Sequence, residues 1–152
     1  MINTITAKDI RAAFVDLIHN KAQIPYDVHF NHVNKSTTSY VWVELQMRKS
    51  SWDIAFFQWS IDVDIQVILS PDDYAVVKYT GLWEIADSLT KSIMPCMQIK
   101  DRFITIQEFN SNVVDDVLHY EFNLDFTDYV QSDEYEGVGY ELMQELNLDL
   151  ES

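Results

Sequence analysis

The sequence predicts an α+β domain in which two α-helices pack on one face of a mainly antiparallel β-sheet. Two stretches have the apolar spacing of amphipathic helices, and five stretches alternate apolar and polar residues as strands do. This alternation gives a sheet one face on the core and one face toward water or a partner, as in antiparallel sheets. The 152 residues, 47% of them hydrophobic, are enough for one domain with a substantial core.

The first helix is predicted over residues 7–20. Thr6 can cap its N-terminus, and Asp9 three residues later can complete a capping box. The apolar residues of this segment fall on one helical stripe: Ile10, Ala13, Phe14, Leu17 and Ile18. Pro25 is expected to close the connection to the sheet.

Three strand-like stretches follow the first helix. The first alternates over 26–31 and the second over 41–48. In the third, over 57–69, the odd-numbered residues are apolar and should be buried, whereas Asp62 and Asp64 should face outward. Because this strand exceeds the usual length of about five or six residues, it is predicted to project beyond the domain body.

The second helix is predicted to begin at 70–73, where a serine, a proline and two aspartates form a strong start signal. Its apolar face is predicted to contain Leu82, Ile85, Ala86, Leu89 and Ile93. Gly81 is expected to divide the segment into a short turn and a main helix. Pro95 is expected to end it.

Two further strands complete the predicted sheet, one over about 102–109 and a longer one over 118–126. The turn between them is assigned to 110–112, which reads Asn-Ser-Asn. Residues 1–130 are therefore predicted to form a single domain. Residues 131–152 contain seven acids and no base, and they are expected to be a partly flexible tail or a short amphipathic helix.

Composition argues against several classes of function. With 25 acidic and 10 basic residues, the chain carries a net charge of −15. This charge disfavours nonspecific nucleic-acid binding and docking on anionic membranes, both of which depend on Lys and Arg. Three glycines are too few for a phosphate-binding loop, so no cofactor is expected. No signal peptide or membrane span is predicted, and a soluble protein is expected.

One carboxylate pair offers an enzymatic alternative. Asp62 and Asp64 share a strand face, and Asp115 and Asp116 could approach them. Paired carboxylates can bind divalent cations or carry acid–base chemistry. Since no His or Lys is predicted to converge on the pair, the polar face of an amphipathic strand is the favoured interpretation. The protein is predicted not to be an enzyme, with a hydrolase as the alternative.

The histidines and the cysteine do not predict a metal or catalytic site. His29 and His32 are three residues apart, a spacing that points two strand side chains to opposite faces. Cys96 is the single cysteine, which excludes an intrachain disulfide and fits an intracellular protein. It lies between methionines and is expected to be a buried packing residue.

Interface residues are predicted in three places. Arg48, Lys49 and Trp52 are assigned to a basic and aromatic loop before the long strand, which could contact an acidic neighbour. Tyr40 and Trp42 share the outward face of the preceding strand. The acidic tail contributes the remaining candidates: Leu142, Met143 and Leu146.

The order of helix, three strands, helix and two strands resembles the tail terminator proteins of long-tailed bacteriophages. The resemblance begins with the N-terminal amphipathic helix. Three segments resemble family strands: 40–45 (YVWVEL), 57–65 (FQWSIDVDI) and 116–122 (DVLHYEF). The last of these resembles the closing strand of terminator-like proteins from phages and prophages of Gram-positive bacteria. The likeness covers about residues 1–130 and does not include the acidic tail.

This resemblance implies a virion assembly protein without catalytic residues. The resemblance further implies a homo-oligomer, expected to be a hexameric ring. This ring would cap the tail tube, end its polymerisation and present the head-joining surface. The implied partners are the tail tube protein and a head-completion or connector protein. The implied location is the head–tail junction, after assembly in the bacterial host cytoplasm. An acidic immunity or antitoxin-like protein that blocks a basic partner is the alternative.

Overall fold

The computed structural model describes residues 4–31, 38–51, 54–70 and 79–129. Two helices and a mostly antiparallel sheet confirm the predicted α+β class. The elements are α1 (Ala7–Asp16), β1 (Asp27–His29), β2 (Tyr40–Ser51), β3 (Phe56–Ile68), α2 (Tyr79–Ile93), β4 (Cys96–Ile99), β5 (Arg102–Thr105), β6 (Phe109–Val114) and β7 (Val117–Tyr129). In the part of the chain that is described, neither helix is long and apolar enough to cross a membrane.

The first helix begins as predicted. The Thr6 hydroxyl accepts a hydrogen bond from the Asp9 backbone N–H at 3.2 Å, and the Asp9 carboxylate accepts one from the Thr6 N–H at 2.8 Å. The predicted capping box is therefore confirmed. After Asp16 the helix widens into one π-helical turn over Leu17–Lys21, which the Ala22 N–H closes on the Leu17 carbonyl.

The main sheet has the strand order β1-β2-β3-β7-β6. Its neighbours are antiparallel except for the short parallel pair of β1 and β2. β4 and β5 form a separate antiparallel hairpin. The sheet therefore has β3 at its centre, with β2 on one side and β7 on the other.

The predicted register of the long central strand is confirmed. Five odd-numbered residues of β3 are at most 7% exposed: Trp59, Ile61, Val63, Ile65 and Val67. Asp62 and Asp64 occupy the opposite face. β3 does not stand free of the domain body, because β2 and β7 pair with it along almost its full length and Trp59 near its start is buried.

Both helices cover the apolar face of the sheet. The ring of Phe14 on α1 lies 6.2 Å from that of Phe122 on β7, and the Thr90 hydroxyl on α2 lies 3.0 Å from the Tyr120 hydroxyl. The predicted apolar face of α2 is confirmed, with Leu82, Ala86, Leu89 and Ile93 buried. The described helix runs from Tyr79 through Gly81 without the predicted break, whereas most of the predicted start at 70–73 lies outside the described residues. Burial of the apolar face outweighs the cost of about 1 kcal/mol for one glycine in a helix.

The largest corrections fall between the second helix and β7. The predicted strand over 102–109 is two strands, β5 and the start of β6, and β4 was not predicted. Residues 110–112 lie inside β6, and the turn is formed by Asp115 and Asp116. These two aspartates have positive φ values of 52° and 64°, as two-residue hairpin turns require. Asn and Asp both tolerate this conformation, so composition alone did not distinguish the two turn sites.

Candidate interaction surfaces

The sheet face opposite the helices carries most of the polar side chains of the long strands. A groove of about 1450 Å³ is lined by residues of β2, β3 and β7 and by the segment 102–110. Five acidic residues of the three strands line this groove: Glu44, Asp62, Asp64, Glu121 and Asp125. This acidic groove is accordingly suited to cations or basic side chains.

Three of these carboxylates form a row across neighbouring strands. Glu44 is the register partner of Asp64 on β3, and Asp64 is the register partner of Glu121 on β7. Like charges directly opposite each other destabilise a sheet unless they are compensated. Gln66 reduces this repulsion, because its side-chain N–H groups donate to Asp64 at 3.0 Å and to Glu44 at 3.3 Å.

A histidine converges on Asp64, which the sequence did not predict. His119 Nδ1 lies 3.1 Å from Asp64 Oδ2, and both side chains are 22% exposed. The expected approach of Asp115 and Asp116 is wrong, because these residues lie at the β6–β7 turn, where Asp116 accepts a hydrogen bond from the Tyr79 hydroxyl. The missed signal was register: His119 and Glu121 share one strand face with period two.

Asp62 has different partners from Asp64. The Asn123 side chain donates a hydrogen bond to Asp62 Oδ1 at 2.8 Å, and the Arg48 guanidinium lies 3.5 Å from Asp62 Oδ2. Arg48 and Asp62 are 72% and 50% exposed, so this ion pair contributes only about 0–1 kcal/mol. Most of the Arg48 side chain therefore remains accessible to a partner.

The basic residues predicted in a loop lie in a strand instead. Arg48 and Lys49 belong to β2, and they point to opposite faces of the sheet. Lys49 Nζ lies 4.2 Å from the centre of the Phe57 ring and 5.0 Å from that of Trp59. β2 continues to Ser51 and β3 begins at Phe56, so the two strands extend further than the loop prediction allowed.

The remaining predicted interface residues are separated from this hairpin or not described. Tyr40 and Trp42 are half-buried at the other end of β2, beside β1. Along the strand, Trp42 is about 20 Å and Tyr40 about 26 Å from Arg48, at roughly 3.3 Å per residue. Four predicted residues lie outside the described part of the chain: Trp52, Leu142, Met143 and Leu146.

The histidine and cysteine predictions have mixed outcomes. The His29 ring is half-buried and lies edge-on to the Tyr40 ring at 5.7 Å, whereas His32 is outside the described residues. Cys96 is half-buried at the start of β4 rather than fully buried.

The β4–β5 hairpin presents an aromatic residue that sequence reasoning missed. Phe103 is 70% exposed and lines the acidic groove. Phe109 borders the groove and is 36% exposed, but its ring stacks at 4.7 Å on Tyr120, which lies on the helix-covered face. Aromatic residues are enriched in protein interfaces, so Phe103 gives the groove an apolar anchor beside its acids. Prediction of Phe103 would have required recognition of β4.

A buried ion pair fixes this hairpin to the sheet. Arg102 on β5 pairs with Asp128 on β7, and Asp128 is fully buried. Asp128 also accepts the Ile5 backbone N–H at 2.8 Å, while Arg102 donates to the Thr127 carbonyl at 3.0 Å. Ile5, β5 and the end of β7 are thus held together next to the groove.

Comparison with known proteins identifies the family. Residues 9–136 match the family model described as "Phage tail terminator protein". No curated protein matches the chain. The matched segment contains the described elements from β1 to β7 and most of α1, and it covers well over half of the 152 residues. This family has a structural role in phage tail assembly, which locates its members in the virion tail. The chain belongs to the phage tail terminator protein family.

Proposed function

We propose that the protein caps the phage tail tube as a homo-oligomeric ring, ends tube polymerisation and provides the head-joining surface at the head–tail junction. The family match over residues 9–136 is the observation that carries the proposal. A hexamer is the expected ring, as the resemblance implies. The tail tube protein and a head-completion or connector protein are the proposed partners.

The sheet edges supply surfaces for ring contacts. Among the described strands, β1 pairs with the outer edge of β2 only at Tyr40–Trp42. The stretch 43–51 of β2 and the outer edge of β6 carry no further described strand pairing. Unpaired strand edges are templates for pairing with another chain. A contact between two different edges is heterologous, because each subunit uses a different surface toward each of its two neighbours. Such contacts form a closed ring when the rotation that relates successive subunits returns to the first one.

Charge complements this edge-to-edge contact. The β2 edge carries Arg48 and Lys49, while exposed acids flank the β6 edge at Glu108, Asp115 and Asp116. In the proposed ring, the β2 edge of one subunit pairs with the β6 edge of the next. Opposite charges on the two edges favour this contact over β2–β2 or β6–β6 contacts, in which like charges would meet.

Mass measurement in solution and electron microscopy with tail tubes test the proposal. The mass is expected to be a multiple of the 17.8 kDa chain, and rings are expected at one end of each tube. Amide hydrogen exchange at Val43–Ser51 is expected to slow when the ring forms, because new strand pairing protects these groups. Tubes that continue to grow in the presence of the protein would reject capping. Unchanged amide exchange at Val43–Ser51 in an assembled ring would reject the edge contact but not the ring.

A further inference from the structure

We propose that Asp64, His119 and Glu121 form a binding site for a divalent transition-metal ion, with Zn²⁺ as the ion that suits the donor set best. One potential ligand atom from each residue lies within 4.8 Å of the others. Two atoms bound to the same ion at about 2.0–2.2 Å are at most roughly 4.4 Å apart. Small side-chain rotations therefore suffice to bring all three donors onto one ion.

The strand geometry preorganises these donors. His119 and Glu121 are two residues apart on β7 and share one face, and Asp64 is the register partner of Glu121 on β3. β3 and β7 pair over 13 residues each, and Asp64 lies well inside the paired stretch. Sites built on rigid strands hold their ligands more accurately than sites on loops.

The local electrostatics favour a bound cation. Three carboxylates lie side by side across the sheet, those of Glu44, Asp64 and Glu121. Among the described residues, His119 is the basic residue within ion-pair distance of Asp64. Asp64 Oδ2 accepts from Gln66 and contacts His119, but the second oxygen, Oδ1, is buried and has no described hydrogen-bond partner. A cation would compensate the repulsion and supply a partner for that oxygen.

The donor set determines which ion fits. One imidazole nitrogen and two carboxylates suit Zn²⁺, whereas Mg²⁺ and Ca²⁺ prefer oxygen donors alone. A metal ion binds an imidazole nitrogen that carries no proton, so Zn²⁺ would coordinate His119 through its unprotonated nitrogen. The site does not depend on the proposed ring, since every donor belongs to one chain.

Calorimetric titration of the metal-free full-length protein with Zn²⁺ tests the site, with Mg²⁺ titrated in parallel. One Zn²⁺ per chain is expected, with much weaker binding of Mg²⁺. His119→Ala and Glu121→Gln should each weaken Zn²⁺ binding at least about tenfold. Two matched controls should leave it unchanged. Asp125→Asn removes an exposed acid from the same face of β7, and His19→Ala removes an exposed histidine from the π-helical turn.

Several results would overturn the site. They are absence of stoichiometric Zn²⁺ binding, binding that survives His119→Ala, and Mg²⁺ binding as tight as that of Zn²⁺. Imidazole NMR of the wild-type protein gives a readout that needs no variant to fold. Zn²⁺ is expected to shift the ring resonances of His119 and leave those of His19 and His29 unchanged, and shifts confined to another histidine would contradict the assignment.

Discussion

Arg102 and Asp128 form an ion pair that joins the β4–β5 hairpin to the end of β7, with Asp128 fully buried and Arg102 20% exposed. A buried charge that loses its partner is strongly destabilising, because its desolvation is no longer compensated. The same contact holds Phe103 beside the acidic groove, since Arg102 precedes it in β5. This one pair therefore affects both stability and the shape of the candidate surface.

Replacement of Arg102 by alanine is expected to destabilise the fold by about 3 kcal/mol, because the Asp128 carboxylate is left buried and unpaired. Arg48→Ala is the matched control, since its ion pair with Asp62 is largely exposed and should cost no more than about 1 kcal/mol. Urea unfolding of both variants measures the difference. Equal losses would show that burial of Asp128 is not what makes the Arg102 pair important.

The capping box of α1 is expected to give a pH-dependent contribution to stability. Partial burial acts to raise the pKa of Asp9, but hydrogen bonds from the Thr6 backbone and from Lys100 outweigh it, and the pKa is lowered. A lowered folded-state pKa stabilises the fold above the unfolded-state pKa, and this contribution is lost as the pH falls through the folded-state pKa.

Asp9→Ala should therefore cost about 1 kcal/mol at pH 7 and progressively less as the pH falls below about 4. Urea unfolding at a series of pH values measures this cost. Asp87→Ala, which removes an exposed acid from the middle of α2, is the control. A cost for Asp9→Ala that is independent of pH would contradict the role of its charge.

The sequence predicted the part of the fold that period-two and helical patterns determine. The register of β3 follows from alternation over thirteen residues, and the Thr6–Asp9 capping box follows from local spacing. The position of the turn between β6 and β7 was missed, because its residue types do not distinguish it from a neighbouring site. Both Asn110–Asn112 and Asp115–Asp116 have turn-forming residues, and only pairing with β7 selects the second.

The candidate sites depend on contacts that a linear pattern does not contain. Asp64 and His119 are 55 residues apart in sequence and meet only through the β3–β7 register. Phe103 and Arg102 occupy a hairpin whose first strand, β4, is four residues long. Such a short stretch gives little periodic signal. Arg48 and Lys49 were predicted in a loop, and their opposite orientations follow from the extension of β2 through them.

Simultaneous replacement of Arg48, Lys49 and Trp52 by alanine should impair ring assembly and tail capping while the monomer stays folded. The loss of the Lys49 contacts with aromatic rings should cost only about 1 kcal/mol. Circular dichroism checks the fold, and sedimentation with electron microscopy checks assembly. A control with Lys8, Lys21 and Trp83 replaced by alanine removes the same formal charge and one tryptophan from the helical side. Normal capping by the first variant would reject the β2 edge as the interface.

Subunit association is expected to strengthen as salt rises. Each chain carries a net charge of −15, and closing several copies into a ring brings many like charges together. At roughly 0.15 M ionic strength the screening length is about 8 Å, so repulsion between exposed charges on neighbouring subunits weakens. In the proposed ring, main-chain pairing between the β2 and β6 edges is a short-range contact, so salt weakens it less than it weakens the long-range repulsion. Sedimentation across a salt series is expected to show mostly monomer at low salt and more oligomer at higher salt.

Deletion of residues 131–152 separates repulsion from specific contacts. It removes seven acids and no base and so changes the net charge from −15 to −8. If repulsion opposes assembly, the truncated chain should associate at lower salt than the full chain, and its response to salt should be smaller. If Leu142, Met143 and Leu146 are interface anchors, truncation should instead reduce association at every salt concentration. Rings that are stable at low salt in the full-length protein and indifferent to added salt would show that charge repulsion does not control assembly.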